Sequence, residues 1–245
     1  MKKIYTNEQK DEILKMYWSG ESVACISAST GVAKSTLYKW IREAPSKKVK
    51  PVNMTDFRIL KQRRENILSQ QFVATASNEV WVSDITYFTC KEVKYYICVI
   101  IDLFARKVVA CTISKNNGTC LTKSTLTKAY GDRHPSEGLI FHSDRGTNYT
   151  ARTFIDCCKA FEMTQSLSRK STPYDNSVME AFFKTLKAEE LYRNNYRSER
   201  EFRERVGAYI EFYNNKRPHQ INRYRTPDAM EESYYKRHTS GAEEI

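Results

Sequence analysis

The residues best suited to chemistry in this chain are three carboxylates: Asp84 in EVWVSDITYF, Asp144 in FHSDRGTNYT and Glu180 in STPYDNSVMEAFFKTLK. Asp84 lies inside an apolar, β-branched and aromatic run (Val80, Trp81, Val82, Ile85, Tyr87, Phe88) that predicts a buried strand. A lone charge there is costly unless it is paired or bound to a metal. Asp144 follows a second short strand, Leu139, Ile140 and Phe141, where Gly146 can turn the chain. Glu180 opens a helix predicted from Ser177 to about Leu191, with Val178, Ala181, Phe182, Leu186 and Leu191 at helical spacing. Small, hard Mg²⁺ takes oxygen ligands from a few carboxylates, waters and substrate phosphate, so these three residues suit a pocket for one or two ions. The chemistry such a pocket serves is in-line phosphoryl transfer.

Each residue also has an ordinary structural reading. Asp144 suits an Asx-turn before Gly146, and Glu180 suits the third position of a capping box begun by Ser177. Asp84 has the weakest such alternative, because aspartate is disfavoured in the middle of a strand. Asp102, ending YYICVIID, is a rival strand-end carboxylate or a turn former. His142 would share a strand face with Asp144, where it touches substrate, orients an aspartate or is simply structural. Arg145, Arg169 and Lys170 are candidate phosphate contacts, and Ser171, Thr172 and Pro173 read as a mobile loop before the glutamate. Lys184 and Lys187 fall four and seven positions after Glu180, on its helix face, either as a solvated basic stripe or as a grip on DNA phosphate.

Five stretches, WVSDITYF, IDLFARKVVA, LIFHSDRGTNYT, QSLSRKSTPYDNSVMEAFFKTLKAEEL and FYNNKRPHQINRYRTPDAM, resemble in that order the integrase core of bacterial insertion-sequence transposases of the IS3 family, relatives of retroviral integrase. The resemblance covers about residues 66–230. It implies a ribonuclease-H-like α/β fold, a DDE triad falling on Asp84, Asp144 and Glu180, and two Mg²⁺ or Mn²⁺ ions per active site. It also implies a basic residue seven positions after the glutamate, here Lys187, and a homo-oligomer assembled on double-stranded DNA.

A chain of 245 residues allows one or two domains with a sizeable core. The net charge of +11 points to a polyanion, and nucleic acid suits it better than a membrane, because no segment is apolar or amphipathic enough for a bilayer. The opening MKKIYTNEQKD lacks a signal-peptide core and no apolar run approaches a spanning helix, so a cytoplasmic, nucleoid-associated protein is expected. Seven scattered cysteines, without metal-ligand spacing, read as reduced core residues.

Residues 6–43 predict three short helices: one capped by Thr6 and Gln9 and stopped by Gly20, one from about Ser22, and a third after a turn at Gly31, capped by Ser35. That order describes a helix-turn-helix, resembling the N-terminal one of the same transposases. Lys34, Ser35, Thr36, Tyr38 and Lys39 would face DNA, the alternative being a small bundle with a solvated basic face. Residues 44–56 read as a basic, proline-interrupted linker, and a basic helix is expected through Ile59, Leu60, Arg63, Arg64, Ile67 and Leu68. The family usually places a leucine zipper and another DNA-binding segment in this region, which is too short here for both.

The core is expected as strands near 79–89, 94–102 and 106–114, a helix at 119–130, a strand at 138–142, a helix at 150–162, a short strand near 164–167 and the glutamate helix. Such an order gives a mixed sheet flanked by helices. A last helix carries Phe202, Val206, Tyr209, Ile210 and Tyr213, with Arg217, His219, Arg223 and Arg225 beyond it lining DNA or closing the turn. The domains are thus a helix-turn-helix (1–44), a basic linker or helix (45–77), a catalytic core (78–232) and a fraying polar tail (233–245). The expected activity is transposon-end binding with metal-dependent strand cleavage and transfer. The alternatives are an inactive DNA-binding regulator of transposition and a nuclease using the same carboxylates.

Overall fold

The computed structural model describes residues 5–18, 23–43, 66–68, 72–169 and 173–239. Gly20, the linker at 44–56, most of the basic helix after it, and Lys170, Ser171 and Thr172 lie outside these residues. The chain forms two compact units, Met1–Arg63 and Arg64–Ile245.

In the first unit, α1 (Asn7–Trp18), α2 (Val23–Thr30) and α3 (Lys34–Glu43) surround a core of Leu14, Val23, Ile26, Val32, Leu37 and Trp40. The capping box at Thr6 forms as expected: the Gln9 amide donates to Thr6 Oγ1 (3.2 Å) and the Thr6 amide to Gln9 Oε1 (3.0 Å). Gly31 turns the chain with φ +68°, a conformation glycine adopts without steric cost. Two details differ from expectation. The third helix starts at Lys34, with the Ala33 carbonyl accepting from Thr36 and Leu37, so Ser35 sits inside the first turn rather than capping it. Tyr17, which falls at helical spacing with Ile13 and Leu14, is at the surface.

The second unit is a five-stranded sheet of order β3-β2-β1-β4-β5, built from β1 (Val80–Cys90), β2 (Val93–Asp102), β3 (Lys107–Ser114), β4 (Ile140–Ser143) and β5 (Thr164–Leu167). The first three strands are antiparallel neighbours, while β1, β4 and β5 run parallel. Side chains alternate across the sheet, and both faces are apolar. Val80, Val82, Val99 and Ile101 pack on α7 (Ser177–Leu186) and α8 (Glu199–Asn215). Trp81, Ile100 and Phe141 pack under α4 (Thr119–Arg133), α5 (Thr147–Thr150) and α6 (Arg152–Ala160). The mixed sheet flanked by helices is therefore as the sequence predicted. The single helix expected at 150–162 is two, because Ala151 is extended (φ −66°, ψ 143°). Cys90, Cys98, Cys111, Cys157 and Cys158 carry free thiols.

Of the tail expected to fray from 233, the described residues 233–239 are helical. They are the end of α9 (Pro227–Thr239), with the Tyr234 ring 4.8 Å from that of Phe104. Its anchor is Glu231, buried against the sheet. Glu231 is ion-paired with Arg133 and Lys107, the latter at 2.6 Å, and accepts from Ser77 Oγ at 2.7 Å.

Burial opposes ionisation of Glu231, but the hydrogen bonds from Arg133, Lys107 and Ser77 outweigh it and bring its carboxyl down from 4.5 to about 2. A depressed folded-state value means the stabilisation is complete above about pH 4.5 and is lost as pH falls toward 2. Glu231→Gln should therefore cost on the order of 3 kcal/mol at pH 7, because Arg133 and Lys107 lose their partner. Urea unfolding at pH 7 and pH 3 checks this, with the gap to wild type narrowing at pH 3.

Candidate active site

The parallel pairing of β1 with β4 sets Val80 opposite Ile140 and Ser83 opposite Ser143. The next residue on each strand is an aspartate, so Asp84 and Asp144 stand side by side where β4 ends. Beyond this point β1 pairs with β2 alone among the described residues, and the sheet opens. Both aspartates line a cleft of about 210 Å³ with Tyr87, Tyr96, Asn117, Asn148 and Tyr149. The carboxyl ends of parallel strands, at a switch in strand order, are where open α/β sheets bind ligands. One residue earlier, the buried Ser83 hydroxyl pins the strand, lying 2.9 Å from the Val99 carbonyl and 2.9 Å from Tyr149 Oη.

Each aspartate is held through one oxygen. Asp84 Oδ1 accepts from the Ile85 amide at 2.7 Å, and Asp144 Oδ1 from the Gly146 amide at 2.9 Å. The Asx-turn anticipated at Asp144 thus forms, and it orients the carboxylate beside Asp84. Burial is the main force raising the Asp84 carboxyl; the Ile85 hydrogen bond opposes it, the charges of Asp144 and Glu180 raise it further, and Lys187 lowers it. The result is a value pushed up to about 7. Three carboxylates that repel one another in one neighbourhood form a charge deficit that a divalent cation relieves, and oxygen donors suit Mg²⁺ or Mn²⁺. Among the described residues, no group of three or more His, Cys, Asp and Glu side chains is placed to hold a metal ion together. Mg²⁺ is commonly bound through one or two carboxylates, with waters and substrate oxygens completing its shell.

Glu180 is carried to this neighbourhood by α7, whose buried Met179, Phe182, Phe183 and Leu186 clamp it to the sheet. The cap position is Asn176, which makes Glu180 the fourth helical residue and not part of a capping box with Ser177. Its side chain is exposed. After Leu186 the helix widens into a π-type turn (Lys187–Leu191), still continuous to Leu191 as predicted.

Residues that the sequence reading did not single out fasten the start of α7. Asn176 Nδ2 donates to the Ser83 carbonyl (3.4 Å). Buried Asp175 accepts from Asn66 Nδ2 and the Arg169 amide, both at 2.7 Å, and pairs with the Arg169 guanidinium. The Asp175 carbonyl is 2.8 Å from His142 Nε2, and His142 Nδ1 is 2.9 Å from Ser166 Oγ. A carbonyl only accepts, which assigns the proton to Nε2. Burial lowers the His142 pKa and favours the neutral ring. His142 therefore shares the Asp144 face but ties β4 and β5 to the glutamate helix. The only sequence signal for this latch was polar residues embedded in apolar runs.

Other candidates are sorted by position. Asp102 lies opposite Trp81, away from the cleft, buried and accepting from the amides of Asn78 (2.7 Å) and Phe104 (2.9 Å). Arg169 serves Asp175 rather than an open phosphate site. Arg145 Nε donates to the Ser168 carbonyl (2.7 Å) beside the cleft. Lys187 is half-buried with its ammonium 5.8 Å from the Tyr87 ring centroid, and Lys184 is exposed. Arg217 pairs with Glu189 (2.9 Å) and His219 packs edge-on to Tyr213, both closing the turn after α8. In the first unit Lys34, Ser35, Tyr38 and Lys39 are exposed on α3, with Thr36 half-buried.

Integrase core domain families match residues 74–173 and 162–227, and a transposase family matches residues 1–73. The transposase for insertion sequence element IS904 of Lactococcus lactis subsp. lactis is 38% identical over 169 residues, covering 69% of this chain and 67% of that protein. Transposase InsF for IS3A of Escherichia coli is 33% identical over 189 residues, covering 77% of this chain and 65% of that one. The chain belongs to the IS3 family of insertion-sequence transposases. This transposase spans about two thirds of the length of those relatives. Its core shares the fold of the HTLV-2 integrase catalytic core domain, solved in complex with magnesium, with TM-score 0.51 and 18% identity over 64% of this chain and 98% of that one. No helix among the described residues is long and apolar enough to cross a membrane.

Gly146 lies close against the aspartate: a Cβ added there would meet Asp144 Oδ1 at 2.8 Å. Its φ of −55° suits any residue, so Gly146→Ala should leave folding stability within about 1 kcal/mol while pushing the carboxylate aside. If this carboxylate takes part in the chemistry, strand transfer should fall roughly 100-fold, the loss expected when a reacting group is displaced by about 1 Å. Thermal melting beside a strand-transfer assay checks both halves.

Proposed function

We propose that this transposase binds transposon-end DNA through α3 and cuts and joins strands at the Asp84–Asp144 cleft by metal-dependent phosphoryl transfer. The observation that carries this reading is the β1–β4 register, which sets two aspartates side by side at an open sheet end with Glu180 in their electrostatic neighbourhood. Asp84 and Asp144 would hold the ions and Glu180 would complete one coordination shell. When bound, two Mg²⁺ or Mn²⁺ ions supply activation of the attacking hydroxyl and stabilisation of the leaving oxygen. The chain's own residues position the substrate. Lys184, Lys187 and Arg145 would hold the phosphodiester, leaving catalysis to charge and orientation. The nucleophile is water or a DNA 3′-hydroxyl, with no covalent protein intermediate.

On α3, the exposed Lys34, Ser35, Tyr38 and Lys39, with Thr36, present donors and cations suited to phosphates and base edges in a major groove. The net charge of +11 supports a double-stranded DNA partner. Joining two ends requires more than one active site, hence a homo-oligomer on DNA, acting at the nucleoid in the cytoplasm.

The test is a strand-transfer assay on labelled element-end duplex with Mg²⁺ or Mn²⁺, comparing wild type with Asp84→Asn, Asp144→Asn and Glu180→Gln. Each variant should lose cleavage and joining while retaining duplex affinity within about threefold. Binding without chemistry in the wild type would instead identify a regulator of transposition. Lys39→Ala should weaken duplex binding and reduce the salt-dependence slope by about one, without changing the metal requirement.

A further inference from the structure

Tyr87 lies three residues beyond Asp84 on the open stretch of β1, lines the same cleft, and exposes 56% of its surface. A single exposed tyrosine is ordinary. Its surroundings are not. Two ammonium groups from different elements converge on this one ring: Lys94 Nζ at 4.3 Å from the centroid and Lys187 Nζ at 5.8 Å. Lys94 comes from β2, where Tyr96 is the direct partner of Tyr87, so Lys94 is its diagonal cross-strand neighbour. Lys187 comes from the glutamate helix and is also the cation that lowers Asp84.

Aromatic faces beside cations, along a groove, are what binds unpaired nucleic acid: bases stack on the ring and phosphates meet the ammonium groups. We infer that Tyr87, flanked by Lys94 and Lys187, is a stacking platform for an unpaired DNA base next to the phosphate at the Asp84–Asp144 cleft. The inference rests on the transposase reading above and extends it to the state of the DNA. Next to the scissile position the strand is held unstacked from its duplex, with one base on Tyr87. An exposed ammonium-over-ring contact is weaker than a base stack, and the lysine side chains are flexible. An arriving base therefore displaces an ammonium toward the phosphates on either side.

The test uses the full chain and a fluorescein-labelled oligothymidine, with binding measured by anisotropy, alongside metal-dependent nicking of element-end duplex. Tyr87→Ala should bind the single strand about tenfold more weakly. Tyr87→Phe, which keeps the ring and loses the hydroxyl, should bind like wild type. Lys94→Gln should lower the salt slope for the single strand by about 0.7. A 2-aminopurine placed beside the cleavage position in the duplex should be quenched on binding wild type and Tyr87→Phe but not Tyr87→Ala. Wild-type nicking together with equal single-strand affinity and equal quenching in Tyr87→Ala would overturn the platform and leave the transposase reading intact. Absence of nicking in the wild type would remove the reading beneath it. Thermal melting of Tyr87→Ala at the wild-type temperature shows that a lost stack is not a lost fold.

Discussion

The parallel register between β1 and β4 is the constraint on which the site depends. It is fixed by burial on both sides of the sheet: Val80 and Val82 must face α7 and α8, while Trp81 and Phe141 must face the opposite helices. Slipping one strand by a single residue would turn each of these side chains to the wrong face. The core therefore enforces an arrangement that electrostatics opposes, two aspartates side by side with a glutamate nearby. Packing of large apolar side chains on both faces outweighs the repulsion, and the repulsion is what makes the place attractive to a cation.

The two ends of the sheet use acidic residues in opposite ways. At the closed end Asp102 and Glu231 are buried and satisfied by Asn78, Phe104, Arg133, Lys107 and Ser77. At the open end Asp84 and Asp144 are each held by one backbone amide and face a cleft. The first set ties α9 to the sheet. The second is oriented by backbone amides and, among the described residues, has no cation in direct contact, which suits groups awaiting a substrate and its metal.

Glu180 reaches this end by a different route. Its helix is held by an apolar face, and the start of that helix is latched through Asp175, Asn176 and His142 to Arg169, Ser83 and Ser166. Each link spans a different pair of elements, so the position of the glutamate follows that of β1, β4 and β5 together. Lys187, about two turns beyond Glu180, brings a cation back over the edge of β1 at Tyr87.

The sequence by itself determined the elements and the identity of the candidate site. Alternating and helical apolar spacing marked the strands and helices to within a few residues, because burying those faces is what forms them. A charged residue in a strand-forming run stood out at Asp84 because nothing in local structure calls for it. Tertiary structure decided what periodicity does not encode. Which carboxylates meet was settled by strand order, which admits Asp144 and sets Asp102 apart. His142 is a latch because Asp175 and Ser166, distant in sequence, close on its ring. The turn at Lys91 and Glu92 takes φ of +46° and +65° without a glycine or asparagine, since pairing of β1 with β2 along its whole length outweighs the local strain. Residues 233–239 of the tail expected to fray are helical because Tyr234 and Glu231 find Phe104, Arg133 and Lys107, partners that only the folded sheet brings within reach.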